Sequence, residues 1–382
     1  MLSIAIRVLS IAVAAVPLLL SILLLLVCTT NEGAGFGVSG MLLSLAPMLA
    51  CFAWERKSKR LWAAAATAVV SWTVITFWLT INAPNGQASS SAKVQHHFAH
   101  KSGAFRHHAL GNLLPEVDQF MLGFRLVPAV DPYFTMAQSK KLSRLTASIY
   151  QELEADNDFH ALGSMMPEAY NELWGRRFDH GHYFLYVPER LDRHQPQPTL
   201  VFLHGSGGNF KAYTWLLSKV ADDLGMILIA PSYGMGNWHE PDTSRVVQAA
   251  LDDAAKVIAI APRQMHLIGL SNGGLGVSQA GSSLGDTFQS LTFLSPVFDG
   301  SAVGSPEFVQ HWKGRPVLVI SGRADERVPF AYVAETVSTM ISEGITVTLK
   351  SIDGADHFMM FSHGNEVIGM ISTWLRAQPS PK

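Results

Sequence analysis

Ser271 sits in Gly269-Leu270-Ser271-Asn272-Gly273-Gly274, directly after the apolar run His266 to Leu270. A serine with glycine two residues away on either side, following a strand and opening a helix, suits a sharp turn that pushes the hydroxyl into a cleft. A hydroxyl is a weak nucleophile at neutral pH and needs an imidazole held by a carboxylate. Two later segments offer these groups. Asp325 lies in Ser321-Gly322-Arg323-Ala324-Asp325-Glu326-Arg327-Val328-Pro329, after the apolar run Pro316 to Ile320, and His357 lies in Asp353-Gly354-Ala355-Asp356-His357-Phe358, after Ile345 to Leu349. Ser271 is therefore expected as nucleophile, His357 as general base and Asp325 as the acid that orients it. Asp299, after Leu291 to Leu294, is the alternative acid and His363 the alternative base. Asp353 and Asp356 are too near His357 in the chain to orient it from its far side, so turn and capping roles suit them; Glu326 is expected to face solvent.

Acyl transfer also needs backbone N–H donors aimed at the oxygen on which charge develops. Asn272, next to the nucleophile, is one expected donor. Ser206 is the other, in the glycine-rich turn Leu203-His204-Gly205-Ser206-Gly207-Gly208 that ends the run Thr199 to Leu203. Tyr233 and Trp238 are expected to wall a substrate pocket, while Tyr213 and Trp215 fit core packing as well as a pocket. His204 and His239 are read as structural.

Positioning these groups falls to a series of short apolar runs: Tyr183 to Val187, Thr199 to Leu203, Met226 to Ala230, His266 to Leu270, Leu291 to Leu294, Pro316 to Ile320 and Ile345 to Leu349. Helical stretches such as Arg245 to Ile260 and Ala331 to Ser342 separate them. Continuous apolar strands alternating with helices imply an α/β fold, a mostly parallel sheet covered on both faces. In such a sheet the ligand site lies beyond the carboxyl ends of the strands, where all the residues above fall.

The first third of the chain differs in composition. Three runs without a charged side chain, Leu9 to Cys28, Gly37 to Trp54 and Leu61 to Ile81, approach the roughly 20 residues that span a bilayer. They predict three transmembrane helices over residues 1–82. Arg56, Lys57, Lys59 and Arg60 crowd the second connection, whereas the first has no Lys or Arg. Short basic loops stay cytoplasmic, which would put everything after Ile81 on the extracytoplasmic side of a multi-pass protein in the cell membrane. Residues 83–109, rich in Ala, Ser, Asn and Gly, read as a linker. Its His96, His97, His100, His107 and His108 are joined by no Cys or carboxylate, so no metal is expected. Residues 110–180 predict a helical extension, with Leu142, Leu145, Ile149 and Leu153 forming one apolar stripe that packs on the following domain. That domain is expected over 181–378. The only cysteines, Cys28 and Cys51, lie in the apolar runs, so no disulfide staples the polar part. A net charge of −2 leaves no electrostatic footprint for nucleic acid.

Together these motifs resemble the α/β-hydrolase superfamily from near His182 to near Trp374. Phe184-Leu185-Tyr186-Val187-Pro188 followed by Thr199 to Gly205 is similar to the opening of the polyhydroxyalkanoate depolymerase and feruloyl esterase group, with dienelactone-hydrolase-like esterases close to it. The turn at His204 to Gly208 lacks the Cys common in the depolymerases, and His357 follows Ala355-Asp356 rather than a Gly. The resemblance implies hydrolysis of a small-molecule, lipid or polyester carboxylic ester through an acyl-serine intermediate, without cofactor. Two other readings use the same residues: an acyltransferase acting on a lipid or envelope glycan, and an anchored, inactive binding module.

Overall fold

A computed structural model describes residues 2–84, 86, 89–99, 110–173 and 181–378. The chain divides into two compact units, one of Met1–Asn85 with Phe105–Ser148 and one of Gly86–Ala104 with Ile149–Lys382.

The first unit is helical. Helices α1 (Leu2–Val27), α2 (Asn31–Arg56) and α3 (Lys59–Asn82) follow one another through tight turns. Among the described residues, two helices, α2 and α3, are long and apolar enough to cross a membrane. This corrects the expectation of three spans. In α1 (Leu2–Val27), which carries Pro17, the apolar stretch among the residues described in full is Ala14–Val27. Glycines let α1 and α2 approach closely: a Cβ at Gly37 would lie 2.8 Å from Leu25 Cγ, and one at Gly40 would lie 2.3 Å from Ser21 Oγ. Ser39 and Thr76 join α2 to α3 through hydroxyls 2.9 Å apart. The basic connection shrinks to Lys57-Ser58. Lys57, at φ 47°, ends α2, and the Ser58 hydroxyl caps α3 by accepting the Leu61 N–H.

Helices α4 (Leu110–Leu113), α5 (Glu116–Leu126) and α6 (Met136–Glu154) follow. Asp118 on α5 is fully buried and accepts hydrogen bonds from the Thr29 amide at 2.6 Å, the Thr29 hydroxyl at 3.0 Å and the Thr30 hydroxyl. It thereby satisfies donors left over where α2 begins. The stripe of α6 falls across the division between units, with Leu142 and Leu145 before it and Ile149 and Leu153 after it.

The second unit is built on one eight-stranded sheet. In chain order its elements are β1 (Val94–Phe98), α7 (Asn157–Ala161), α8 (Met166–Leu173), β2 (His182–Tyr186), β3 (Gln197–Leu203), α9 (Lys211–Leu224), β4 (Ile227–Pro231), α10 (Thr243–Ala254), β5 (Ile260–Leu270), α11 (Gly273–Ser283), β6 (Ser290–Leu294), α12 (Gly300–Val303), α13 (Pro306–Trp312), β7 (Pro316–Gly322), α14 (Phe330–Ser342), β8 (Thr346–Ile352), α15 (Met359–Ser362) and α16 (Gly364–Arg376). The sheet order is β1-β2-β4-β3-β5-β6-β7-β8. β1 pairs antiparallel with β2, and β2 antiparallel with β4; every other pairing is parallel. This is a mostly parallel mixed sheet flanked by helices. Burial on both faces explains the unbroken apolar runs: Leu200 to Leu203, Ile227 to Ala230 and Val317 to Ile320 are all inaccessible to solvent.

Three elements depart from expectation. His96 and His97, placed in a linker, belong to β1, which pairs along β2 from Val94↔Tyr186 to Phe98↔His182. The sheet-bearing unit therefore recruits chain well before residue 181. His100, His107 and His108 lie outside the described residues. α10 ends at Ala254 rather than Ile260: an exposed turn over residues 255–257 follows it, Ile258 beyond that turn is buried, and Ile260 already opens β5. β5 itself begins six residues early, through a bulge at Arg263 (φ 61°) that lets Gln197 pair with Ile260 and Thr199 with Met265.

Candidate active site

β5 delivers Ser271 in a conformation few L-residues adopt, φ 52°, between the strand and α11. Such backbone costs about 1–3 kcal/mol and persists only where its surroundings over-determine it. Here they do: the Ser271 N–H donates to the Leu294 carbonyl at 2.9 Å, and the Ser271 carbonyl accepts from the amides of Gly274 at 2.8 Å and Val297 at 3.0 Å. The flanking glycines are sterically required. A Cβ at Gly269 would stand 2.3 Å from the Gly273 carbonyl oxygen, and one at Gly273 would stand 2.1 Å from that of Leu203.

The Ser271 hydroxyl lies 2.9 Å from His357 Nε2, and His357 Nδ1 lies 2.8 Å from Asp325 Oδ2. His357 comes from the loop after β8 and Asp325 from the loop after β7. The two loops meet because Gly322 leaves room for the Ala355 carbonyl, which a Cβ would approach to 2.2 Å. The Asp325 side chain is completely buried, and its other oxygen, Oδ1, accepts the amides of Arg327 at 3.0 Å and Val328 at 2.8 Å. Both carboxylate oxygens are thus used, which fixes the plane in which the imidazole is held. With Nδ1–H donating to Asp325, Nε2 is free to accept the serine proton.

The alternative groups have other partners. Asp299 caps α12 by accepting the amides of Ser301 and Ala302, both at 3.1 Å, and also accepts from Gln279. Burial pushes its carboxyl up, but the hydrogen bond from the Ser301 hydroxyl at 2.6 Å, with those from Gln279 and the two amides, holds it below the usual range. His363 precedes α16 and pairs with the Ser362 hydroxyl. Asp356 accepts the Phe358 amide in a local turn, exposed Asp353 meets Arg323, and Glu326 is exposed. Among the described residues no group of three or more His, Cys, Asp or Glu is placed to hold a metal ion.

The turn after β3 runs beside the nucleophile: a Cβ at Gly205 would stand 3.4 Å from Ser271 Cβ. Gly207 donates its amide to the Met235 carbonyl, whereas among the described residues the Ser206 and Asn272 amides donate to no protein acceptor. His204 is fully buried. Its Nδ1 lies 2.7 Å from the Gly205 carbonyl and its Nε2 accepts the Tyr233 amide at 3.1 Å. Burial pushes its pKa down to about 4, which keeps the ring neutral with the proton on Nδ1, the only tautomer that satisfies both bonds.

Tyr233 and Trp238, expected to wall a substrate pocket, belong instead to the core. They are 2% and 0% exposed, Trp238 donates its indole N–H to the His204 carbonyl at 2.8 Å, and Tyr233 donates its hydroxyl to Glu240. Their place after a strand suggested a cleft, but the turn carrying them doubles back under the Gly205 turn. Tyr213 and Trp215 lie on α9. The segment Ser232 to Trp238, a brace for the Gly205 turn, carries no motif of its own; Gly234 and Gly236, both at positive φ, are its one sequence signal.

No family model matches the chain. Over 138 residues it is 30% identical to feruloyl esterase B from Thermothelomyces thermophilus, a match covering 32% of this chain and 46% of that protein. Part of the chain thus resembles a feruloyl esterase. The match spans less than half of that relative's length. Among solved structures, a thermostable esterase is similar at 19% identity and a TM-score of 0.43, over 52% of this chain and 59% of that one. The S-formylglutathione hydrolase of Staphylococcus aureus matches at 15% identity and a TM-score of 0.44, over 52% of this chain and 90% of that one. A butyrate-bound esterase from Thermogutta terrifontis matches at 17% identity and a TM-score of 0.42, over 54% of this chain and 94% of that one.

Proposed function

We propose that the chain is a membrane-anchored serine hydrolase that cleaves carboxylic esters through an acyl-serine intermediate. The observation that carries this reading is the hydrogen-bonded series from the Ser271 hydroxyl to His357 to Asp325, set on a left-handed serine between two obligatory glycines. Ser271 Oγ attacks the ester carbonyl while His357 Nε2 takes its proton. The oxyanion forms against the amides of Ser206 and Asn272. His357 then returns the proton to the departing alcohol, leaving the acyl group on Ser271. Water, deprotonated by the same imidazole, attacks the acyl carbonyl; the bond to Ser271 Oγ breaks, the imidazolium returns the proton to that oxygen, and the acid is released. Asp325 stays ionised and stabilises the imidazolium. The partial likeness to a feruloyl esterase supports an ester over an amide and makes hydroxycinnamate esters a suitable first substrate beside short acyl esters. Residues 1–82 serve as the anchor, with α2 and α3 as its spanning helices, and the helical segment from 110 links it to the catalytic unit.

Ser271→Ala in the full chain tests the mechanism. Turnover of p-nitrophenyl acetate and methyl ferulate is expected to fall by roughly six orders of magnitude, and covalent labelling by a fluorophosphonate is expected to vanish. Ester cleavage persisting at the wild-type rate would overturn the reading.

A further inference from the structure

The catalytic series does not use every nearly buried carboxylate. Glu172, near the end of α8, is 7% exposed in its side chain, and α8 is not one of the elements that supply Ser271, His357, Asp325 or the two amides. Both its carboxylate oxygens lie 3.0 Å from the Ser232 hydroxyl, which donates to them, and Oε1 lies 3.3 Å from Nε2 of the fully buried His182. His182 Nδ1 in turn meets His96 Nε2 at 2.8 Å. A carboxylate this deep is costly unless hydrogen-bonded, so its retention calls for an account.

What Glu172 holds is the start of the turn that braces the Gly205 loop. Ser232 donates its own amide to the His182 carbonyl at 2.8 Å, and the next residue, Tyr233, donates its amide to His204 Nε2. His204 then bonds the Gly205 carbonyl, Gly207 bonds the Met235 carbonyl, and a Cβ on Gly236 would reach within 3.1 Å of Ser206 Cα. α8 also touches the loop directly, since Ala169 Cβ stands 3.3 Å from where a Cβ of Gly208 would be. The ionisable groups converging here are Glu172 from α8, His182 from β2, His96 from β1 and His204 from the loop after β3. Glu172 touches both His182 of β2 and Ser232 of the bracing turn.

We infer that Glu172 is a positioning residue: through Ser232, Tyr233 and His204 it holds the Ser206 amide at the angle needed to meet the oxyanion. The helical segment between β1 and β2 thereby becomes part of the catalytic apparatus. The inference rests on the esterase reading. A donor that acts only when charge develops on the carbonyl oxygen stabilises the transition state and leaves ground-state binding unchanged. Loss of its alignment therefore lowers kcat and leaves KM in place.

The experiment compares Glu172→Ala and Glu172→Gln with the wild-type full chain in detergent. Readouts are kcat and KM on p-nitrophenyl acetate, the Ki of a trifluoromethyl ketone that forms a tetrahedral adduct, and the thermal midpoint. Glu172→Ala is expected to lower kcat roughly tenfold, less than the 10²–10³ for loss of a donor itself, with KM unchanged and the ketone weakened by the same factor. Glu172→Gln keeps an acceptor for Ser232 and is expected to recover most of kcat. A folded Glu172→Ala protein with wild-type kcat and ketone affinity overturns the proposal, as does a loss that falls on KM alone. If Glu172→Ala does not fold, Ser232→Ala, which removes the same bond with a smaller change, must reproduce the kcat loss. A wild-type chain with no ester hydrolysis and no fluorophosphonate labelling sinks the esterase reading instead.

Discussion

At the scale of single residues, partners separate groups that types alone leave equivalent. Asp325 and Asp299 both follow strands, yet one is buried against His357 Nδ1 and the other caps a short helix. Asp325→Asn is expected to lower kcat by about 10⁴, because the imidazole is no longer held in its working tautomer. Asp299→Ala is expected to cost about 1 kcal/mol of stability, the usual value of a cap, with kcat retained; parallel kinetics and denaturant titrations of the two variants distinguish the roles. Buried histidines add a pH dependence. Burial depresses both His204 and His266 from 6.5 to about 4. The unfolded chain therefore takes up protons below about pH 6.5 that the folded chain refuses until about pH 4. Stability is fully present above 6.5 and is lost as pH falls across that window. Urea midpoints measured from pH 7 to 4 should decline, and His266→Asn should flatten the slope.

The elements matter chiefly where they end. β5, β7 and β8 place Ser271, Asp325 and His357 just past their carboxyl ends, and the parallel pairing β5-β6-β7-β8 sets the spacing between them. The tolerance at these ends is small. Gly269→Ala puts a methyl 2.3 Å from the Gly273 carbonyl and 2.6 Å from Val277 Cγ2. It is expected to destabilise the fold by about 2 kcal/mol or more, as overpacking does, and calorimetry should show a lower unfolding temperature. Gly123, with nothing near its Cβ position, should accept alanine without such a loss.

For the whole molecule, the chain combines a helical unit carrying two apolar helices long enough to cross a bilayer with a unit built on one mixed sheet. If α2 and α3 span a membrane as proposed, the full chain should remain in the pellet when membranes are washed with alkaline carbonate and enter solution only with detergent. Recovery in the carbonate supernatant would refute the anchor.

Much of the fold was legible in the chain, because strands buried on both faces, such as β2, β3, β4, β6 and β7, carry apolar side chains on both; the edge strand β8 is only partly buried and was read from Ile345 to Leu349. β1 was hidden, since Val94-Gln95-His96-His97-Phe98 lies at the sheet edge and has no apolar run. The candidate nucleophile was readable because a left-handed serine needs glycine neighbours, a local steric demand that sequence records. The choice between Asp325 and Asp299, the core placement of Tyr233 and Trp238, and the reach of Glu172 to Ser232 depend on which loops converge. Convergence is a property of distant strand ends brought together, and no local run of residues encodes it.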